Sequence, residues 1–195
     1  MKFSVFAAVL LLCLAGAPIL HEATTVSNGL ELPVNPITPV VAERPVINIP
    51  MCNREANWGG GSCVHASVVA LMRWQNRHAL AWYWRKTYTG GESANGLHQK
   101  MDEEGVRYAY TVNGDAKFLE WACRTRRGCA VTCRGGKHMV ALVHFDNEHA
   151  AIIDNNHIDR IQWMSRKRFM SEWHNSNGWA VAVIYAPCAP LKPKA

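Results

Sequence analysis

The chain has 195 residues, 49% of them apolar, and a formal charge of +6. That apolar share excludes a disordered or fibrous chain, and the length suits one domain once its ends are set aside. The positive balance is mild, and the basic runs "RTRRG" (124–128) and "RKR" (166–168) lack the interleaved aromatics that stack on bases, so no nucleic-acid partner is expected.

The first residues, "MKFSVFAAVLLLCLAGAPILHEA", place one lysine before an apolar stretch and small residues after it. This pattern predicts a signal peptide over 1–23, cleaved after Ala17 or Ala23, and an exported protein, secreted or held in the cell envelope or periplasm. The stretch is too short for a membrane-spanning helix and no other apolar run is long enough, so no integral membrane segment is expected once the signal is removed. Residues 24–50 carry five prolines and read as an extended leader, linker or short pro-segment. The folded domain is expected over 51–188, followed by a tail over 189–195. Six cysteines follow Cys13, and an exported chain is permitted disulfides; with Cys63 free, five remain and at most two bridges form.

Inside the domain, helical spacing runs from Cys63 to about Gln75, then over 78–88 and 93–105, while "VRYAYTV" (106–112) alternates as a strand. "DAKFLEWACRT" (115–125) predicts a helix capped by Asp115. The character then changes. "CAVTC" (129–133), "HMVALVHF" (138–145) and "AAII" (150–153) are strand-like, with "DNEH" (146–149) turning between the last two. A helix over 164–174, with Ser165 as its cap, and a strand over 178–186 complete the chain. Helices first and antiparallel strands later predict an α+β fold with helices on one side of a sheet.

The stretch "GGGSCVHAS" (59–67) puts a thiol where a glycine loop becomes a helix. The free N–H groups of a helix's first turn favour thiolate over thiol, and the thiolate is the nucleophile. His138 opens an apolar strand after the turn "RGGK", where the sheet holds it rigidly and solvent reaches it. The hairpin brings the end of the next strand, "IIDNN", beside it, so Asp154 or Asn155 can orient the imidazole. The N–H of Cys63 is one donor for an oxyanion, and Asn57, six residues upstream, offers an amide as the second. Cys123, Cys129, Cys133 and His138 are zinc-ligand types in a short stretch, but they contain no C-x-x-C knuckle, and no metal or other cofactor is expected.

In this order, a cysteine at a helix start with an amide six residues before it, then His, then Asp or Asn 16 or 17 residues later, the chain resembles the papain-like cysteine peptidases. "CAVTCRGGKHMVALVHFDNEHAAIIDNN" is more similar to the bacteriocin-processing branch, whose members cleave leader peptides after a double glycine. The resemblance spans roughly 50–186 and implies a papain-like α+β fold, N-terminal helices packed on a C-terminal antiparallel sheet. It implies hydrolysis of a peptide or protein substrate with Cys63 as nucleophile, His138 as base, Asp154 or alternatively Asn155 as orienter, and Asn57 at the oxyanion. Two positions depart from the family pattern. Asn57 stands where Gln is usual, and Ser62-Cys63-Val64 stands where the branch has Asp-Cys-Gly. The same three groups also serve transglutaminases and deamidases, and a non-catalytic peptide-binding domain can keep the same shell. No motif sets the oligomeric state.

Overall fold

The computed structural model describes residues 49 to 186. The expected signal segment, most of the proline-rich stretch and the C-terminal tail with Cys188 lie outside the described residues. After one 3-10 turn at Met51–Asn53, helix α1 spans Cys63–Trp74 and buries every residue except Arg73. A helix apolar on all sides belongs in a core, and α1 is the central one. It stops at Gln75, where Asn76 turns into the left-handed region with φ of 60°. Helix α2 (His78–Thr87) lays Ala81, Trp84 and Arg85 inward, and α3 (Ala94–Glu103) begins at Ser93, whose hydroxyl accepts from the Gly96 N–H.

Strand β1 (Tyr108–Thr111) is shorter than its seven-residue alternating stretch. Helix α4 (Ala116–Arg124) starts at Asp115, whose carboxylate accepts from the Lys117 N–H as its cap position requires. Strands β2 (Cys129–Cys133), β3 (His138–Phe145) and β4 (His149–Ile153) follow. Strand β5 (Gln162–Ser165) was not foreseen; it occupies the first two residues of the expected last helix, so α5 spans Arg166–His174, with Ser165 as its cap. Strand β6 (Ala180–Val183) closes the domain. No helix among the described residues is long and apolar enough to cross a membrane.

The six strands form one antiparallel sheet in the order β1-β6-β2-β3-β4-β5. The α+β class and the packing of N-terminal helices on a C-terminal sheet are as expected. The sheet is nevertheless covered on both faces. Met139, Ala141, Val143, Val181 and Val183 join α1, α2 and α3 in one core, while Val131, Val140, Leu142, Ala180 and Ala182 join Leu119 and Ala122 of α4 and Phe169 and Trp173 of α5 in a second. Burial on both sides explains why β3 and β6 read as continuous apolar runs rather than alternating ones.

Cys52, Cys63, Cys123, Cys129 and Cys133 are all free thiols, so no disulfide joins two described residues. Cys129 and Cys133 lie at opposite ends of β2; at ~3.3 Å per residue their Cα atoms are ~13 Å apart, beyond the ~7 Å limit for a bridge.

Candidate active site

Cys63 is the first residue of α1, and Ser62 before it makes no side-chain cap bond to the helix. The Ser62 hydroxyl is instead committed to the loop, donating to Asn57 Oδ1 at 2.7 Å and accepting from the Trp58 N–H at 2.9 Å. No acidic side chain occupies the first turn, so its N–H groups keep their field for the sulfur. The thiol donates to the Gly61 carbonyl at 3.4 Å and lies against His138.

The turn between β2 and β3 delivers His138, and the register pairing Ala141 with Ile153 brings the chain after β4 alongside it. His138 Nε2 is 2.8 Å from Asp154 Oδ1, with both side chains buried. Nδ1 is the ring nitrogen left for the thiol. Asp154 Oδ1 also accepts from the Asn156 N–H at 2.9 Å.

The charges of the three groups reinforce one another. Burial raises the Cys63 thiol, but hydrogen bonds from His138 and from the backbone at Met139 and Val64, with the attraction of the imidazole, outweigh it and bring it below the ordinary thiol range. Burial works against a charged imidazole at His138, yet its bonds to Cys63 and Asp154 and their negative charge hold it above the usual histidine value. Burial likewise works against the Asp154 carboxylate, while the Asn156 N–H, His138 and Arg134 keep it below the usual range. The arrangement favours a thiolate beside an imidazolium.

The two candidates for the third position separate cleanly. Asn155 turns away from the imidazole, and its Nδ2 faces the Cys63 carbonyl at 3.1 Å, Ser67 Oγ at 3.0 Å and the Met139 carbonyl at 2.8 Å. It fastens the start of α1 to β3. Asn57 is bound into the loop: Oδ1 accepts from the Gly59 N–H and from Ser62, and Nδ2 donates to Asn156 Oδ1 at 3.0 Å. One N–H of its amide remains for another acceptor. The second histidine near Cys63, His65, is buried and accepts from Trp84 Nε1 at 3.1 Å; burial lowers its pKa to about 4 and keeps it neutral.

Cys63 and His138 open onto a cavity of about 140 Å³ whose walls include Gly61, Gly91, Glu92, Lys137 and Trp179. The walls come together at Gly61, where φ is +82° and an added Cβ would meet Gly91 Cα at 2.7 Å. Sequence reasoning did not single out Arg134 or Asn156, although both sit in the quoted stretches "RGGK" and "IIDNN". Residue type alone gave no sign that both bond the Asp154 carboxylate, Arg134 at Oδ2 and Asn156 at Oδ1.

No family model and no curated protein sequence matches the chain. Solved structures do. The peptidase domain of Streptococcus ComA, a bi-functional ABC transporter involved in a quorum-sensing pathway, matches with a TM-score of 0.52 at 20% identity, over 68% of this chain and 96% of that one. A double glycine motif protease from an AMS/PCAT transporter, solved in complex with the leader peptide, matches with a TM-score of 0.50 at 14% identity, over 74% of this chain and 95% of that one. The likeness is one of fold: the chain shares the α+β architecture of these peptidase domains.

Proposed function

We propose that this protein is an exported cysteine peptidase that cleaves a peptide bond by acyl transfer through Cys63, His138 and Asp154. The observation that carries the reading is the buried His138–Asp154 bond at 2.8 Å, which leaves Nδ1 toward a thiol at the start of α1. In the first step the Cys63 thiolate adds to the substrate carbonyl, and the oxyanion is held by the Cys63 N–H and the remaining Asn57 amide hydrogen. The carbon–nitrogen bond breaks as the His138 imidazolium gives its proton to the departing amine. Water then adds to the thioester while His138 takes its proton, and collapse releases the acid and restores the thiolate–imidazolium pair. Asp154 fixes the imidazole and stabilises its charge without changing protonation.

The narrow, glycine-walled cavity supports a substrate with small residues before the scissile bond, in keeping with the double glycine motif named for one of the structural neighbours. The signal-like segment at 1–23 supports export.

Two peptides differing only in Gly-Gly or Leu-Leu before the scissile bond test the reading, using the native protein and a Cys63→Ala variant. The native protein is expected to cut the glycine peptide at least about a hundredfold faster, a difference of about 2.7 kcal/mol in the barrier. The variant is expected to fold and to cut neither. Retained hydrolysis by Cys63→Ala removes the mechanism, and equal cleavage of the two peptides removes the substrate assignment.

A further inference from the structure

The turn that presents His138 carries two cations that the mechanism above does not use, Arg134 and Lys137, and Arg134 is bonded to Asp154. Arg134 follows β2 with φ of 53°, a left-handed conformation that a non-glycine residue holds only when its surroundings enforce it. The enforcement comes from α5 and the turn that follows it. The Arg134 N–H donates to Glu172 Oε1 at 2.7 Å, and the next N–H, of Gly135, donates to Ser176 Oγ at 3.0 Å. Held this way, the guanidinium reaches back across the sheet end and donates to Asp154 Oδ2 at 2.8 Å. The two carboxylate oxygens are thereby divided: Oδ2 faces Arg134, and Oδ1 faces His138 and the Asn156 N–H.

We propose that Arg134 is a positioning residue for the reaction, acting through Asp154: it offsets part of the negative charge of the carboxylate that faces His138, thereby setting the pH at which the thiolate–imidazolium pair forms. This rests on the proposed function of Cys63 and His138. A cation here favours the deprotonated forms of Asp154 after β4 and Cys133 of β2. The other charged or titratable groups at this end of the sheet are Cys63 of α1, Lys137 of the turn, His138 of β3 and Glu172 of α5. Cys133 reports the overlap of these fields: burial pushes its thiol up to about 12, Arg134 pulls it down, and Asp154, Glu172 and Cys63 push it up again. The Arg134 side chain is 56% exposed, so its loss opens no cavity.

The test measures the pH dependence of Cys63 alkylation by iodoacetamide, and the NMR titration of the His138 ring, in the native protein, Arg134→Gln and Arg134→Lys. The NMR titration is repeated with Arg134→Gln in a Cys63→Ala background. Arg134→Gln is expected to move the alkylation midpoint and the His138 titration to higher pH. Below the midpoint, alkylation slows about tenfold for each unit of displacement. Arg134→Lys keeps the charge, loses the planar fork, and is expected to return both midpoints toward native values. A role confined to holding the turn would change unfolding and leave both midpoints in place. Unmoved midpoints in Arg134→Gln, or movement to lower pH, overturn the proposal. The double variant reads the Arg134–Asp154–His138 link without the thiol. Native Cys63 alkylation at an ordinary thiol midpoint would therefore defeat the proposed function, while the His138 titration still decides the part played by Arg134.

Discussion

At the scale of single residues, the two histidines nearest α1 are opposites made by their neighbours. His138 has a carboxylate and a thiol as partners and is held above the usual value; His65 has Trp84 and Tyr88 rings around it and is lowered to about 4. Each predicts a pH effect. Cys63 alkylation is expected to rise with a midpoint below the ordinary thiol range, and His138→Ala to return it there; an unchanged midpoint in that variant would show that the imidazole does not stabilise the thiolate. For His65 the folded protein binds fewer protons than the unfolded chain between about pH 6.5 and about 4. Its contribution is therefore complete above 6.5 and lost as pH falls toward 4, a decline on the order of 3 kcal/mol. Urea unfolding from pH 7 to pH 4 is expected to show that decline, and His65→Gln to flatten it. Both histidines were equally visible as residue types. Position at a strand start distinguished His138, but the environment of His65 is made by α2, about twenty residues away, and no local pattern announces it.

At the scale of elements, the glycine loop before Cys63 is held by an ion network beneath it. Glu55 is buried and receives Arg73 at 2.6 Å and Arg85 at 3.0 Å, while the Arg85 guanidinium also donates to the Ala56 carbonyl and stacks on Trp58 at 3.8 Å. Arg85 is itself buried, so removing Glu55 leaves a charge in the interior without its counter-ion. Glu55→Ala is expected to lower unfolding stability by about 3–5 kcal/mol. It should also slow Cys63 alkylation, because the loop that positions the helix start loses its anchor. A loss below about 1 kcal/mol in urea unfolding would mean that solvent already screens the pair. Asn155 performs the corresponding task from the sheet side, tying the Cys63 and Met139 carbonyls together. The hairpin register made both Asp154 and Asn155 reachable from His138. Adjacent residues of an extended chain point opposite ways, so only packing against α1 decides which faces the imidazole.

At the scale of the whole domain, one sheet separates two cores, with Leu71 of α1 buried in the first and Leu119 of α4 in the second. Because every strand of the centre belongs to both, unfolding is expected to be a single transition. Leu71→Ala and Leu119→Ala are each expected to cost about 2–5 kcal/mol and to lower the same midpoint, nearly additively, when followed by far-UV circular dichroism and tryptophan fluorescence. Two separated transitions would show that α4 and α5 form a layer that melts alone. The sequence by itself determined the ordered elements, the caps at Asp115 and Ser165, the thiol at a helix start and the histidine at a strand start, because these depend on periodicity and on neighbours within a turn or two. It did not determine β5, the second helical layer or the commitment of Asn57 to its own loop. It also left open the choice of Asp154 and the reach of Arg134. Those are set by groups brought together from distant parts of the chain, where hydrogen-bond geometry and burial, rather than residue type, decide which partner each side chain takes.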